Sequence, residues 1–461
     1  MTKTDTILDL IAGQIREGTL PPGRKLIPVR RAAEHFGVSK NTVVGVYDRL
    51  CAQGLIEARP GSGFYVSDQR SMGAMTPAPP PPSITQAVDR ISLLGAQLGG
   101  DFSLRVGDGR PPTSWSQGVI PARLGPKVLA ELGGDQTGYG NVHGSAALRD
   151  QIVLSHRLKG IQIHAGNVLT TFGANHALDL VIRRLLAEGQ TVLVDDPGYY
   201  PLFAKLSLQG LKVVGVPRTA TGPDLAALAQ LAVSHSPRMF FTQSLCQNPT
   251  GTSIDLPTAH GILQLAKQYG FAIVDNDPFI DLPGTNGTRL GQLDQFRSVI
   301  QIGSYSKLMS ASIRVGYIIA PTEVCERIAE LKLVTIVNSS GLAETLVADL
   351  LANRRYQRHV RKIETRLALA RADYLARIRK LGLQTLGGDG EGYYSYLLLP
   401  PATDEAGFVR SGAAHGIFFA PGSVFRVNDK EPGPPALRIN ITRSEDPRFY
   451  GFLQKALKGQ V

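Results

Sequence analysis

The chain has 461 residues, a formal net charge of +11 at pH 7 and 43% hydrophobic residues, and this length predicts two or more domains. It contains no run of about 18 apolar residues, and its first residues lack the basic-then-apolar pattern of a signal peptide, so neither a membrane span nor secretion is expected. Three scattered cysteines form neither a metal pattern nor a disulfide framework, which favours the cytoplasm. The positive charge permits association with nucleic acid.

The first 68 residues predict three helices followed by a β-hairpin. Apolar residues recur at helical spacing, Ser39 can cap the third helix, and Pro60-Gly61-Ser62 separates two short apolar strands. The predicted elements are helices over residues 4–18, 29–36 and 40–53 and strands over residues 55–59 and 63–66. Three helices and a hairpin in so short a segment predict a winged helix-turn-helix.

This segment carries the sequence features of a DNA-binding unit. The second helix of a helix-turn-helix presents its first residues to bases and phosphates, and here these are Ser39, Lys40, Asn41 and Thr42. The segment also closely resembles the winged helix of the GntR family, through motifs such as Leu20-Pro21-Pro22-Gly23 and Gly61-Ser62-Gly63. The resemblance implies that the unit binds a double-stranded DNA operator. The DNA contacts that it implies are Arg31, Lys40, Asn41, Thr42, Arg49 and Gly63.

Beyond this unit the composition changes twice. Residues 69–90 include the proline-rich run Thr76–Pro82 and predict an extended linker. Over residues 91–461, apolar strands alternate with helices, which predicts a mostly parallel α/β sheet and a smaller α+β domain after it. The predicted strands include residues 192–194, 239–241, 271–274 and 298–301. One long helix is predicted over residues 345–380, and its basic stretch is interpreted either as a solvated face or as an extension of the DNA footprint.

A lysine between hydroxyl groups is the chemical centre of the second part. Ser304-Tyr305-Ser306-Lys307 follows a predicted strand, and Arg314 comes seven residues later. A helix over that interval would rotate by about 700° and place Lys307 and Arg314 on nearly the same face. The lysine amine can form a Schiff base with an aldehyde, and the arginine and hydroxyls can hold a phosphate.

Three loops after predicted strands add matching groups. Gly173-Ala174-Asn175 precedes a helix, so its backbone N–H groups and the helix dipole suit a phosphate. Tyr199, which follows another strand, can stack on a pyridine ring. Asn248, in Asn248-Pro249-Thr250-Gly251, can donate to a phenolate oxygen. These groups together predict a site for an aromatic aldehyde that carries a phosphate.

In this order, the motifs resemble fold-type I aminotransferases over most of the chain after the linker. With the winged helix, the whole chain resembles the MocR/GabR-type transcriptional regulators. The resemblance implies pyridoxal 5'-phosphate as cofactor, Lys307 as the lysine of the internal aldimine and Arg438 as the arginine that grips a ligand carboxylate. The other residues implied around the cofactor are Ala174, Asn175, Tyr199, Asn248, Ser304, Ser306, Arg314 and Tyr139, the last of which can reach across a dimer in this family.

One segment departs from the family pattern. Where the family has an acidic residue on the ring nitrogen and a tyrosine shortly after it, alignment on Pro278 gives Asn276 and Phe279. A shift of one residue would present Asp275 or Asp277 instead. An asparagine makes the cofactor a poorer electron sink, which hinders proton abstraction more than Schiff-base exchange.

The sequence therefore predicts a DNA-binding transcriptional regulator that senses a small amine, an amino acid or a B6 vitamer through an aldimine at Lys307. The alternative is a catalytically active aminotransferase with an accessory DNA-binding domain. A homodimer is expected, with a linker that allows the winged helix to cross to the partner subunit. The expected location is the cytoplasm, and the nucleoid when the protein is bound to DNA.

Overall fold

The structure is a computed structural model that describes residues 3–67, 102–133, 138–428 and 433–459, together with positions 92, 95 and 99. It divides into two compact units, Met1–Pro80 and Pro81–Val461. The predicted linker, residues 69–90, lies outside the described residues. Within the described part of the chain, no helix is long and apolar enough to cross a membrane.

The first unit is a three-helix bundle with a hairpin. Its elements are α1 (Lys3–Arg16), α2 (Val29–Phe36), α3 (Lys40–Ala52), β1 (Ile56–Arg59) and β2 (Gly63–Val66), and the two strands pair antiparallel. Gly37 ends α2 with a left-handed φ of 61°, and the Ser39 hydroxyl accepts a hydrogen bond from the Thr42 amide over 3.1 Å to cap α3. The predicted winged helix-turn-helix is confirmed.

The second unit is built on an eight-stranded sheet in the order β3-β10-β9-β8-β7-β4-β5-β6. Its strands are β3 (Val168–Thr171), β4 (Thr191–Asp196), β5 (Lys212–Thr219), β6 (Gly222–Pro223), β7 (Met239–Thr242), β8 (Ala272–Asn276), β9 (Val299–Ser304) and β10 (Gly316–Ile319). The five adjacent strands β9, β8, β7, β4 and β5 are parallel to one another. Strand β10 runs antiparallel to both of its neighbours, β3 and β9, and β6 runs antiparallel to β5.

Helices surround this sheet, and a second, smaller sheet follows it. The helices are α4 (Pro126–Gly133), α5 (Ala146–Arg157), α6 (Ala174–Leu185), α7 (Tyr200–Leu208), α8 (Leu225–His235), α9 (Leu256–Tyr269), α10 (Leu290–Asp294), α11 (Thr322–Ile336), α12 (Gly341–Ala352), α13 (Arg355–Lys380), α14 (Glu405–Ala414) and α15 (Pro447–Leu457). The small antiparallel sheet has the order β11-β12-β14-β13, with β11 (Gln384–Leu386), β12 (Tyr394–Leu398), β13 (Ala420–Pro421) and β14 (Ala436–Asn440). This is the predicted α/β fold of fold-type I with a smaller carboxyl-terminal α+β domain.

Alternating side chains of the central strands pack on both faces of the large sheet. Ile273 and Val299 belong to a core with α8 and α9, whereas Val274 and Ile300 belong to a core with α6. Because β4, β7, β8 and β9 are parallel, their carboxyl ends meet at one edge of the sheet, and the residues that follow them are brought together there.

The single long helix predicted over residues 345–380 is wrong. Arg354 adopts a left-handed φ of 53° and separates α12 from α13, so the chain turns where the apolar pattern continues. Several basic side chains of α13 serve the unit itself. Arg355 donates to the Val119 carbonyl over 2.8 Å, and Arg366 lies 4.3 Å from the centre of the Trp115 ring. Two of the basic side chains are thus used within the unit, and the two interpretations of the basic stretch, a solvated face or an extension of the DNA footprint, stay predictions.

Candidate functional site

A cavity of about 220 Å³ lies at the carboxyl edge of the parallel strands. Loops after β3, β4, β7 and β9 contribute to its wall, and so do β8 and β14. The structure brings ten of the predicted site residues to this wall: Ala174, Asn175, Tyr199, Asn248, Asn276, Ser304, Ser306, Lys307, Arg314 and Arg438. Tyr139 does not line the cavity of its own chain, and 88% of its surface is exposed.

One end of the cavity is formed by Arg314 and the start of α6. Arg314 donates to the Phe172 carbonyl over 2.9 Å and lies 3.5 Å from the Ser306 hydroxyl. Gly173 precedes α6 with a φ of 81°, and no side chain caps the helix there. The left-handed φ favours glycine at this position, and the absence of a Cβ lets the Arg314 guanidinium approach the Gly173 backbone closely. Backbone N–H groups, a guanidinium and hydroxyls therefore converge as an anion site.

The predicted helical relation between Lys307 and Arg314 is wrong. The chain between them forms turns rather than a helix, and Arg314 has a left-handed φ of 54°. Both side chains still line the cavity because the turn carries the chain from the end of β9 back into β10.

The amine of Lys307 is held by the segment that precedes α4. Its Nζ donates to the Gly109 carbonyl over 2.7 Å, and the Tyr394 hydroxyl donates to the same oxygen over 2.8 Å. The Tyr393 hydroxyl donates to the Lys307 carbonyl over 3.3 Å. The lysine is therefore positioned from both its backbone and its side chain.

Arg438 is a buried cation on β14, with 2% of its surface exposed. It donates to the Gly107 carbonyl over 2.5 Å and lies 3.4 Å from the Asn248 side-chain oxygen. The rings of Tyr394 and Phe425 lie 5.3 Å and 4.9 Å from its guanidinium carbon. Such a desolvated guanidinium between rings is suited to bind a carboxylate.

The structure places Asn276 on the cavity wall, and neither neighbouring aspartate lines that wall. Its Oδ1 is buried and has no hydrogen-bond partner among the described residues. The Asp275 carboxylate accepts from the Ser244 amide and hydroxyl over 2.9 and 2.6 Å, and Asp277 pairs with Arg289 over 3.0 Å. Burial raises the pKa of Asp275 and of Asp277.

Phe279, which stands at the position of the expected tyrosine, is fully buried. Its ring packs edge-on against Tyr393, with a centroid distance of 5.0 Å, and lies 5.9 Å from Tyr394. Phe279 therefore packs behind Tyr394, which lines the cavity, and it provides no hydroxyl group to the cavity.

A buried ion pair supports the floor of the cavity. Arg218 pairs with Asp195 over 2.7 Å, and the Gln243 amide donates to the same carboxylate over 3.2 Å. The Gln243 side chain in turn accepts from the Asn248 amide over 3.2 Å. Burial raises the pKa of Asp195, an effect that the charge of Arg218 opposes. The network fixes the loop that presents Asn248.

Eight wall residues were not among the predicted site residues: Gly109, Arg110, Tyr200, Pro201, Gln243, Pro278, Ala311 and Tyr394. Gln243 directly follows β7, so the rule that ligands bind beyond the carboxyl ends of parallel strands could have found it. Tyr394 stands in a strand that was interpreted only as structure. Gly109 and Arg110 lie in a segment without a recognisable motif.

In the first unit, most of the predicted DNA contacts are surface residues of α2, the start of α3 and the hairpin. Arg31, Lys40, Asn41 and Gly63 are exposed, whereas Thr42 is half-buried. Arg49 is also exposed, and its guanidinium pairs with Asp5 of α1 over 3.0 Å at the surface.

The hairpin adds a cationic group that sequence reasoning missed. Arg59 lies 4.4 Å from the Tyr65 ring centre and Lys25 lies 5.7 Å from it. A hydrogen bond from Ser62, and the nearby cations, lower the pKa of Tyr65. Arg59 also pairs with Glu57 over 2.6 Å, so the positive charge in excess beside the Gly61-Ser62-Gly63 tip comes from Lys25.

Comparison with sequence families gives two matches. The profile described as aminotransferase class I and II matches residues 104–449, and the profile described as bacterial regulatory proteins of the gntR family matches residues 3–66.

Similar proteins fall into two groups. YdcR of Escherichia coli (strain K12), an uncharacterised HTH-type transcriptional regulator, is 26% identical over 93% of this chain and 93% of its own length. The probable rhizopine catabolism regulatory protein MocR of Rhizobium meliloti is 25% identical over 90% of this chain and 85% of its own. The 2-aminoadipate transaminase of Thermus thermophilus is 29% identical over 73% of this chain and 86% of its own.

Solved structures agree with the fold. LysN, the alpha-aminoadipate aminotransferase of Thermus thermophilus complexed with N-(5'-phosphopyridoxyl)-L-leucine, has a TM-score of 0.69 at 26% identity and covers 81% of this chain and 97% of its own. An archaeal alanine:glyoxylate aminotransferase has a TM-score of 0.70 at 21% identity, covering 83% of this chain and 96% of its own.

Proposed function

We propose that this chain, which belongs to the aminotransferase class I and II family and carries a gntR-type winged helix at its amino terminus, is a transcriptional regulator that binds DNA and senses a small amine, an amino acid or a B6 vitamer with pyridoxal 5'-phosphate. One observation carries the proposal. A chain with a DNA-binding unit also has a cavity in which Lys307, an anion cradle and the buried Arg438 converge, while the strand-end position beside them is Asn276.

The donor set of the cavity fits this cofactor. Lys307 supplies the amine for an aldehyde, and Arg314 with the start of α6 supplies a phosphate cradle. Tyr199 offers a ring as one wall, and burial raises the pKa of its hydroxyl, so the ring stays uncharged. The unpartnered Oδ1 of Asn276 provides a polar group where the ring nitrogen of the family's cofactor is expected. When bound, pyridoxal 5'-phosphate supplies an electrophilic aldehyde carbon that exchanges amines reversibly.

The residues of the chain then favour exchange over turnover. Asn276 is neutral, and the carboxylates on either side of it in sequence, Asp275 and Asp277, bind Ser244 and Arg289. Proton abstraction at a ligand's Cα requires a cofactor whose ring nitrogen is protonated. None of these three residues would place a free carboxylate beside that nitrogen to stabilise its positive charge. Arg438 binds the carboxylate of an amino-acid ligand and sets its orientation toward Lys307.

Ligand exchange at Lys307 would act on transcription by shifting the population of DNA-binding states. The relatives support this role, since full-length similarity extends to proteins named as HTH-type transcriptional regulators. The proposal includes a homodimer, in which Tyr139 would reach the partner subunit, and a cytoplasmic location with association to the nucleoid on DNA binding.

A second candidate function is an aminotransferase with an accessory DNA-binding domain. The presence of Lys307 and Arg438 in one cavity favours it, as does 29% identity to a 2-aminoadipate transaminase. The two candidates differ in rate, because an enzyme turns over external amino acids at about 1 s⁻¹ or faster.

The decisive experiment is a spectral titration of the full chain with amines, amino acids and B6 vitamers, paired with DNA-binding anisotropy on the same samples. We expect the cofactor spectrum and the DNA affinity to change at the same ligand concentration. Failure to retain the cofactor after reconstitution would remove the sensing function. Rapid conversion of amino acid and keto acid would make the aminotransferase the better description.

A further inference from the structure

A second cavity, of about 510 Å³, lies at the opposite edge of the large sheet. It sits where β7, β8 and β9 begin, whereas the Lys307 site sits where these strands end. We call it the amino-edge pocket and define it by its five cationic residues, Arg184, Arg238, Lys267, Arg297 and Arg327. Its volume is within the range of about 300–1,000 Å³ typical of small-molecule sites.

The charge of this pocket is not balanced by the protein. No acidic residue is part of its wall, and Arg184 is the one member of the five that forms an ion pair within the described residues, with Glu330 over 2.8 Å. The Asp294 carboxylate also lies at the pocket, where it accepts from the amide and hydroxyl of the wall residue Ser298. Five cations and the two carboxylates, Glu330 and Asp294, leave an excess of three positive charges. Arg184 and Lys267 stand in the last turns of α6 and α9, where the helix dipole stabilises cations. That effect does not apply to Arg238 or Arg297, which precede strands.

The register of the sheet places two of these arginines at the same level of the pocket wall. Met239 pairs with Ala272, and Ile273 pairs with Val299, so Arg238 and Arg297 stand at the same level on either side of β8. Two strand spacings separate their backbones by about 10 Å. Extended arginine side chains can close that distance around a pair of adjacent phosphate groups, which carry about three to four negative charges together.

The floor of the pocket is apolar. Met239, Phe271 and Ile300 line it, and 3–4% of the surface of each is exposed. A duplex DNA backbone would place phosphates along the cationic rim and leave this concave floor uncovered. A small ligand with an organic body covers the floor and reaches the rim at the same time.

The geometry points to a binding site for an organic diphosphate, of the class of nucleoside diphosphates and triphosphates, in the amino-edge pocket. Its phosphates contact Arg238 and Arg297, and its organic body rests on Met239, Phe271 and Ile300. This site is separate from the cavity at Lys307, since β9 lies between Arg297 and Lys307 and spans about 20 Å.

The test uses the full chain loaded with pyridoxal 5'-phosphate, so that the phosphate cradle at Arg314 is filled. Adenosine diphosphate is titrated by calorimetry, with adenosine, pyrophosphate and inorganic phosphate as parallel arms. We expect one site per chain for adenosine diphosphate, weaker binding of pyrophosphate and no binding of adenosine. Equal affinity for adenosine and adenosine diphosphate, or for pyrophosphate and adenosine diphosphate, would overturn the assigned ligand class.

Variants locate the site. The double substitution Arg238→Gln and Arg297→Gln should weaken binding of adenosine diphosphate by at least about tenfold. A matched double substitution on α13, Arg358→Gln and Arg361→Gln, removes the same charge from exposed positions and should leave binding unchanged. An unaltered affinity in the first variant overturns the proposal. So does a result in which that variant loses affinity for operator DNA while the unmodified chain binds no nucleotide.

The outcome is independent of the regulator function. Retention of the cofactor and its visible absorbance report on Lys307 and should be unchanged by Arg238→Gln and Arg297→Gln. A chain that fails to hold pyridoxal 5'-phosphate but binds adenosine diphosphate would refute the first proposal and support the second.

Discussion

Asp275 and Asn276 are consecutive residues of β8, and their side chains lie on opposite sides of the strand. The Asp275 carboxylate accepts a 2.6 Å hydrogen bond from the Ser244 hydroxyl, and Asn276 lines the Lys307 cavity with a buried, unpartnered Oδ1. Because side chains alternate along a strand, the acid cannot replace the amide without a shift in register. This relationship separates ligand exchange from turnover in the proposed function, and the first prediction tests it.

Asn276→Asp should convert the site toward catalysis. A carboxylate beside the ring nitrogen would raise the pKa of that nitrogen by about 1–3 units and improve the cofactor as an electron sink. We expect the single-turnover conversion of the bound cofactor to its amine form by an amino acid to accelerate about tenfold or more. Stopped-flow absorbance measures it, and Asn276→Ser is the neutral control. An equal rate in both variants would show that position 276 does not face the ring.

Lys307→Ala should abolish covalent retention of pyridoxal 5'-phosphate. Borohydride reduction fixes the cofactor on the unmodified chain, and mass spectrometry of the digested protein should find it on the peptide that contains Lys307. The exposed Lys362 on α13 provides the matched control, Lys362→Ala, which should retain the modification. Labelling that survives in Lys307→Ala would assign the amine to another lysine.

Arg438→Lys should discriminate between ligands with and without a carboxylate. The substitution keeps the charge but loses the planar guanidinium that pairs with a carboxylate through two bonds. Affinity for an amino acid should fall by about 10- to 100-fold, while affinity for the corresponding amine changes little. Spectral titration with each matched pair of ligands measures the ratio. A parallel loss for both ligands would indicate a general disturbance of the buried site.

Lys40→Ala should weaken operator binding and its dependence on salt. Lys40 begins α3 and is exposed, so the loss of one phosphate contact should reduce the slope of log affinity against log salt by about 0.9. Anisotropy at several salt concentrations gives the slope. Arg157→Ala, on the exposed surface of α5, should not alter it. A slope that stays constant in Lys40→Ala would remove this residue from the interface.

The stability of the second unit should fall in acid because of His156. Burial lowers the pKa of His156 from 6.5 to about 4, and its Nδ1 lies 2.9 Å from the Ile152 carbonyl. Between pH 4 and pH 6.5 the imidazole of His156 binds a proton in the unfolded chain but not in the folded chain. The free energy of unfolding is therefore unaffected by this histidine above pH 6.5 and decreases as the pH falls from 6.5 toward 4. The decrease amounts to about 3 kcal/mol.

Urea unfolding at pH 7 and pH 5 measures this effect. His156→Phe should reduce the difference in the free energy of unfolding between the two pH values, whereas His235→Phe, at an exposed position on α8, should preserve it. An unchanged pH dependence in His156→Phe would assign acid sensitivity to other groups.

The helices and strands of the winged helix could be predicted well because residues that end or cap helices stand at their boundaries. Gly37 ends one helix and Ser39 caps the next, so the predicted and observed ends differ by at most two residues. The break at Arg354 could not be predicted in this way, because arginine is not a residue type that favours a left-handed φ. Arg314 was brought to the cavity as expected, but by a turn that the residue spacing could not distinguish from a helix.

The contacts of Gly107 and Gly109 could not be predicted for a different reason. They are made by backbone carbonyls, which every residue possesses, so no side chain marks them. The steric requirement at Gly107, where a Cβ would come within 2.3 Å of the Ala420 backbone nitrogen, also depends on a strand more than three hundred residues away. Only the folded chain reveals that this segment reaches Lys307 and Arg438.

The hydrogen bond between Arg438 and the Gly107 carbonyl must be replaced when a ligand binds to the Arg438 guanidinium. A ligand that contacts this guanidinium competes with an acceptor that the chain already provides over 2.5 Å. A neutral oxygen gains nothing by such an exchange, whereas a carboxylate forms hydrogen bonds about twice as strong. In the proposed function, selectivity for carboxylates thus arises from competition with the protein's own backbone, and ligands that offer only a neutral oxygen are disfavoured without any residue devoted to excluding them.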